Sequence, residues 1–457
     1  MINLIFKLFK SNKALAIFLL FLLSYVYLSI HLRPIADDYC VAAGATNGFF
    51  EHFQRVVSTW SGDYTQIFFS YLLVASPVAF GPMFLVGVTT LLFSVFLLYL
   101  VVIISVQIVL PEISFGRDKQ LICGSLALLL MSWFIYWALP ASINTYGKYQ
   151  SFLSARENFS SVFGWPTVIV QYLVVPLLLI ILSVQLRKNG SIITFFHGFL
   201  GFLIGTSGYP LALAIFVTIP ILMLIKTLTV KPLRLVLLLV GIFVGVCLSF
   251  FSKGALKRSA QFLNADSHSN LVSLPRSVFV SLVEFLVSIL NLGTIALFLI
   301  VFTSVVFVLR RPVAQAKISI RSGSILSFSI FLIAYYFAIS ASEYFVYPAY
   351  WHLITFKTLL FVYIVLLAVI LAVRGKRYSS INRINCRRGW IAFLCTLLTA
   401  LGASSLSYHS VLVRGNLWAE QSAELPGISD ISPRGGWVDL CWQDLREFRG
   451  WEDRKYD

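Results

Sequence analysis

The sequence predicts an all-α polytopic membrane protein with about 11 transmembrane helices, its N-terminus cytoplasmic and its C-terminus extracytoplasmic. Composition and spacing lead there first. Of 457 residues 59% are hydrophobic and 12% charged, against roughly 25% charged in soluble domains. A single soluble core stops growing near ~250–300 residues, so no soluble fold hides that much apolar surface. Apolar runs of about 20 residues, the length that crosses ~30 Å of hydrocarbon, recur near 14–31, 82–110, 120–139, 166–186, 191–205, 210–226, 235–251, 277–309, 324–342, 354–373 and 390–408.

Charge is the third observation. With those spans, the N-terminal side holds 20 of the 35 Lys and Arg and only two acids, Glu112 and Asp118. The opposite side carries 15 Lys/Arg against 16 Asp/Glu. The positive-inside rule then makes the basic face cytoplasmic, and the net charge of +16 is topology rather than nucleic-acid binding.

The first run is a retained span and not a cleaved signal. Lys7, Lys10 and Lys13 precede Ala14 to Ile30, which is long and has no small-residue cleavage site after it. Short basic cytoplasmic loops follow, such as Arg187-Lys188 and Arg310-Arg311, suited to lipid headgroups. The transmembrane domain covers 1–408, with external loops at 32–65, 140–165, 252–276 and 343–353, and an extracytoplasmic tail at 409–457. Residues 66–80 are apolar but short, and read as an interfacial or re-entrant helix; as a span they would invert every later loop. No 20–50-residue repeat is visible, which argues against an inverted-repeat transporter. Six cysteines show no CxxC. Cys40 and Cys441 alone fall on the external side, so a disulfide between them stays open.

The polar residues of the external face form five clusters. Asp37-Asp38-Tyr39 lies just past the first span. Adjacent acids at a membrane surface repel and lose water, which raises the pKa of one and suits a general base. A solvated acidic turn capping the next helix is the simpler explanation of the dipeptide alone. Trp60-Ser61-Gly62-Asp63-Tyr64 follows, then a polar loop with Lys148; the former also fits an interfacial aromatic belt. Lys253, Lys257 and Arg258 crowd the external end of a span, where the positive-inside rule disfavours them. A lipid-linked phosphate or anionic headgroups would compensate. Glu343, Tyr350, Trp351 and His352 combine aromatic faces with polar tips, as sugar sites and aromatic belts both do. Glu284 stands inside a span, where an acid is expensive and usually paired or functional.

Taken together, Asp37-Asp38-Tyr39, the Trp60–Tyr64 block, Gly254 to Arg258, Tyr350-Trp351-His352 and Arg414…Trp418 resemble, in that order, the GT-C superfamily of polyprenyl-phosphate-sugar-dependent membrane glycosyltransferases. Size and order are most similar to the serotype-converting glucosyltransferases of bacterial O-antigen modification. The resemblance implies a multi-pass protein of the bacterial inner membrane whose active site faces the periplasm. It implies inverting transfer of a hexose from a polyprenyl-phosphate donor to an envelope glycan. Asp37 or Asp38 would be the base, Lys253, Lys257 and Arg258 would neutralise the donor phosphate, and Tyr39, Trp60, Asp63, Tyr64, Lys148, Glu343, Tyr350, Trp351 and His352 would contact sugar or acceptor. A lipid-linked-sugar transporter or flippase is the alternative; it predicts ionisable or Gly/Pro-broken elements near the midplane, whereas these ionisable groups gather at one interface. No cofactor is expected; a divalent ion on Asp37 and Asp38 is open, with metal-free transfer preferred.

Overall fold

The computed structural model describes residues 37–59, 61–81, 84–109, 127, 166–188, 194–224, 232–257, 295, 298, 299, 302 and 322–345, with separate residues between 19 and 30 and between 355 and 371. Among the described residues all regular structure is helical. The expected spans near 120–139, 277–309 and 390–408, apart from isolated helical residues in the first two, lie outside them, as does the tail from 409.

Nine helices carry the description. Helices α1 (Asp37–Ala45) and α2 (Phe49–Thr59) form a hairpin. Its turn closes at Gly48, whose φ of 96° is the left-handed region that glycine enters without penalty. Helix α3 runs over Tyr64–Phe80, with a π turn at Tyr71–Ala75. Helix α4 runs through Phe84–Gly87, a π turn at Val88–Leu92, and Phe93–Val109. Helix α5 runs through Pro166–Ile169, a π turn at Val170–Val174, and Val175–Lys188. Then come α6 (Thr194–Gly205), α7 (Tyr209–Leu224), α8 (Pro232–Phe250) and α9 (Ser322–Phe345).

Two segments, Leu85–Ile104 and Leu233–Phe250, are long and apolar enough to cross a membrane. The second is notable for what it leaves uncovered. Leu233 is 62% and Phe243 60% exposed, and Val236, Val240 and Leu248 are exposed as well. Contiguous apolar surface on that scale is rare on soluble monomers and marks contact with membrane or partner.

The pair α6 and α8 packs backbone on backbone. A Cβ on Gly201 would strike the Leu238 carbonyl, one on Gly205 the Ile242 carbonyl, and one on Gly241 the Gly198 carbonyl. This is small-residue packing at i, i+4 spacing, the way apolar helices associate when no hydrophobic gradient separates them from their surroundings. Helix α7 packs along α9. Gly87 in α4 abuts the carbonyl of Ser29, which places the first apolar run against α4.

The π turns widen the helix and free carbonyls from the i→i−4 ladder. Neighbouring helices supply hydroxyl donors to them. Thr89 Oγ1 donates to Leu73 O at 2.6 Å, and Thr355 Oγ1 donates to Tyr172 O at 3.0 Å. Gln171 Nε2 donates to Ser70 Oγ at 3.3 Å beside them. Side-chain bonds of this kind hold the helices in register.

Candidate functional site

The start of α3 is docked onto the turn between α6 and α7 and onto the end of α8. Thr65 carries most of it. Its backbone N–H donates to Thr206 O at 3.2 Å, its hydroxyl donates to Leu203 O at 3.0 Å, and that hydroxyl lies 2.7 Å from Thr206 Oγ1. Gln66 Nε2 donates to Ser207 O, and Tyr64 Oη donates to Leu248 O at 3.2 Å. The turn bends at Gly208 with φ 130°, which a side chain would strain. Gly62 presses on the Ser249 carbonyl so closely that no Cβ fits.

Asp63 sits at the centre of this junction. Ser61 Oγ donates to Asp63 Oδ2 at 2.7 Å, and Ser249 Oγ donates to Asp63 Oδ1 at 3.3 Å. The Tyr209 side chain hydrogen-bonds Ser249 in turn. Three residues past Ser249, Ser252 caps the helical turn 253–257, accepting from the Ala255 N–H at 3.2 Å. That turn carries Lys253 and Lys257, both exposed. The Ser61–Tyr64 block of the first loop and the cationic block two hundred residues on therefore meet at one helix end. Two exposed ammonium groups on one turn can hold an anion.

Asp38 is held elsewhere. It is 0% exposed in α1. The Thr167 N–H donates to its Oδ1 at 2.9 Å, and the Thr167 hydroxyl donates to the same oxygen. Thr167 is the second residue of α5. Asp38 thus caps a helix, as the sequence allowed, but one 129 residues away rather than the next one along. The first backbone N–H groups of a helix lack intrahelical partners, and a carboxylate there is stabilised by both bonds and dipole.

The α1–α2 hairpin is fixed by a second pair of side chains. Arg55 donates to Cys40 O at 2.9 Å, and Arg55 and His52 together fill the space over Gly44. His52 is 1% exposed, and its Nδ1 is buried without a hydrogen-bond partner. Burial first, then the Arg55 charge, lower its pKa to about 4. Phe49 and Phe53 of α2 pack on Tyr71 and Tyr64 of α3, at ring separations of 5.0 and 5.5 Å. The hairpin is thereby laid over the helix that begins at Asp63.

Of the residues singled out in the sequence, Asp63 and Tyr64 meet the end of α8, and the turn that follows it carries Lys253 and Lys257. Asp37 and Tyr39 lie in α1, and Glu343 lies near the end of α9. Trp60, Lys148, Arg258, Glu284, Tyr350, Trp351, His352 and Cys441 lie outside the described residues. Cys40 is disulfide-bonded and Cys247 is a free thiol. Among the described residues no three His, Cys, Asp or Glu side chains converge as a metal centre requires. Sequence reasoning passed over Thr167, Thr206, Tyr209 and Ser249. The one available signal was that each stands at or next to a helix end. No family model matches the chain, and no curated protein or solved structure matches it.

Proposed function

We propose that this chain is a multi-pass membrane glycosyltransferase of the GT-C type, transferring a hexose from a polyprenyl-phosphate carrier to an envelope glycan on the extracytoplasmic side of the bacterial inner membrane. The observation that carries the proposal is the contact of the Ser61–Tyr64 block with the end of α8, where the turn bearing the exposed Lys253 and Lys257 begins. A carboxylate–hydroxyl network and two exposed cations at an apolar helix end suit a ligand with a sugar, a phosphate and a hydrocarbon tail.

In the reaction an acceptor hydroxyl attacks the anomeric carbon as an aspartate of the Asp37-Asp38 pair takes its proton. The bond from that carbon to the phosphate oxygen breaks, and polyprenyl phosphate leaves with the electron pair. The configuration inverts. The leaving group is already a good one, so the protein mainly orients donor and acceptor and neutralises charge. Lys253 and Lys257 are assigned that neutralisation, with Arg258 beside them in sequence. Asp63, Tyr64 and the aromatic residues of the external face are assigned to sugar and acceptor.

The test is transfer of radiolabelled hexose from synthetic polyprenyl-phosphate hexoses to extracted envelope glycans, in membranes holding wild type or a Lys253→Gln/Lys257→Gln variant. Wild-type transfer with the variant's donor KM raised about tenfold or more, the scale of one lost charge-assisted contact, supports the reading. Absence of transfer with every donor, while labelled lipid still changes leaflet, replaces it with the flippase.

A further inference from the structure

We propose that Asp38 is a positioning residue rather than the base: its buried carboxylate clamps α1 to the start of α5, and Asp37, preceding it in the same helix, takes the acceptor proton. The clamp rests on geometry alone; its catalytic consequence rests on the glycosyltransferase reading above.

A general base must come within hydrogen-bond reach of the hydroxyl it deprotonates. Asp38 has no exposed surface, and its Oδ1 receives both the N–H and the hydroxyl of Thr167. The same bonds tie α1 to a helix of the bundle, with Thr167 itself buried. Helix α1 also packs against the later part of α3, residues 71–80. Asp38 therefore fixes the opening turn of α1 between α5 and α3, and with it the place of its neighbour Asp37. An error of about 1 Å in such placement costs on the order of a hundredfold in rate.

The two roles respond differently to an amide. Asn at position 38 keeps an oxygen to accept from Thr167, whereas Asn at position 37 removes the only atom able to take a proton. Transfer is compared for wild type, Asp37→Asn, Asp38→Asn, Asp38→Ala and Thr167→Val, with kcat and donor KM separated and thermal melting recorded for each purified protein. The expected result is a fall of about 10³-fold in kcat for Asp37→Asn, within the range of general-base contributions. Asp38→Asn stays within about tenfold of wild type, since neutral bonds are roughly half as strong as charge-assisted ones. Asp38→Ala falls well below Asp38→Asn, and Thr167→Val shifts kcat in the same direction as Asp38→Ala. A 10³-fold loss in Asp38→Asn with normal melting would overturn the assignment and make Asp38 the base.

If wild type transfers nothing, the glycosyltransferase reading fails by itself and melting decides the clamp. Asp38→Ala and Thr167→Val should then lower the melting temperature less than additively when combined, because each removes the same contact. Full additivity would remove the clamp as well.

Discussion

The Ser249 hydroxyl donates to the Asp63 carboxylate at 3.3 Å, joining residues 186 positions apart. Gly62, next to Asp63, makes the approach close enough by resting on the Ser249 carbonyl. Loss of either contact should loosen the junction. Ser249→Ala removes one hydrogen bond to a charged group, worth about 1.5–3 kcal/mol, and should raise donor KM by roughly tenfold. Gly62→Ala meets backbone that cannot rotate away, so it should do more damage than Ser249→Ala. Donor titration of the two variants checks the order; equal, wild-type behaviour in both would detach this junction from donor binding.

The α6–α8 contact separates two glycines of one helix. A Cβ at Gly201 strikes the Leu238 carbonyl, whereas one at Gly198 meets the Leu237 carbonyl at an ordinary 3.6 Å. Gly201→Ala should cost about 3 kcal/mol or more through overpacking. Gly198→Ala should be neutral or stabilising by up to about 1 kcal/mol, because alanine is the better helix former. Thermal melting in detergent reads both, and equal costs would contradict the packing.

His52 makes stability depend on pH. Its folded pKa of about 4 lies below the ordinary 6.5, so the unfolded chain takes the proton first. Above pH 6.5 both states are neutral there and nothing is lost. As pH falls from 6.5 towards 4 the unfolded state gains, by about 2 kcal/mol near pH 4.5. His52→Phe removes the titration. Its melting temperature should drop less than that of wild type between pH 7.5 and 4.5; parallel drops would show that other groups govern the acid limb.

Cys40 is oxidised while Cys247 is free. Disulfides persist in oxidising compartments, and Cys441 is the one other cysteine that the charge-based expectation places on the same side as Cys40. Peptide mapping without reduction should therefore find Cys40 joined to Cys441 and Cys247 alkylated. Cys40→Ser should cost about 2–5 kcal/mol. A map pairing Cys40 with Cys123, Cys386 or Cys395 would contradict the charge-derived topology.

Much of the helical fold was legible because hydropathy is a sum over one segment. The runs at 82–110, 166–186, 210–226 and 235–251 correspond closely to α4, α5, α7 and α8. The π turns were not, since nothing in Tyr71–Ala75 or Val170–Val174 differs in hydrophobicity from its neighbours; the widening is sustained by Thr89 and Thr355 on other helices. The glycines of α6 and α8 stood in plain view at i, i+4 spacing, but spacing does not say which other helix they face. For the site, Asp63, Lys253 and Lys257 could each be marked as polar groups at helix ends. Ser249 and Thr167 could not, because a lone hydroxyl is common in apolar helices and acquires meaning only from its partner.

The sequence by itself determined that this chain is helical, predominantly apolar and strongly basic, because each of those properties adds up residue by residue along the chain. Tertiary structure alone decided that Asp38 is sealed against Thr167, that Asp63 meets Ser249, and that α6 lies backbone to backbone on α8. Those outcomes depend on which buried donors find which acceptors once helices pack. An unpaired polar group in an apolar interior costs several kcal/mol, so pairing is enforced strongly, but between residues that no local pattern connects.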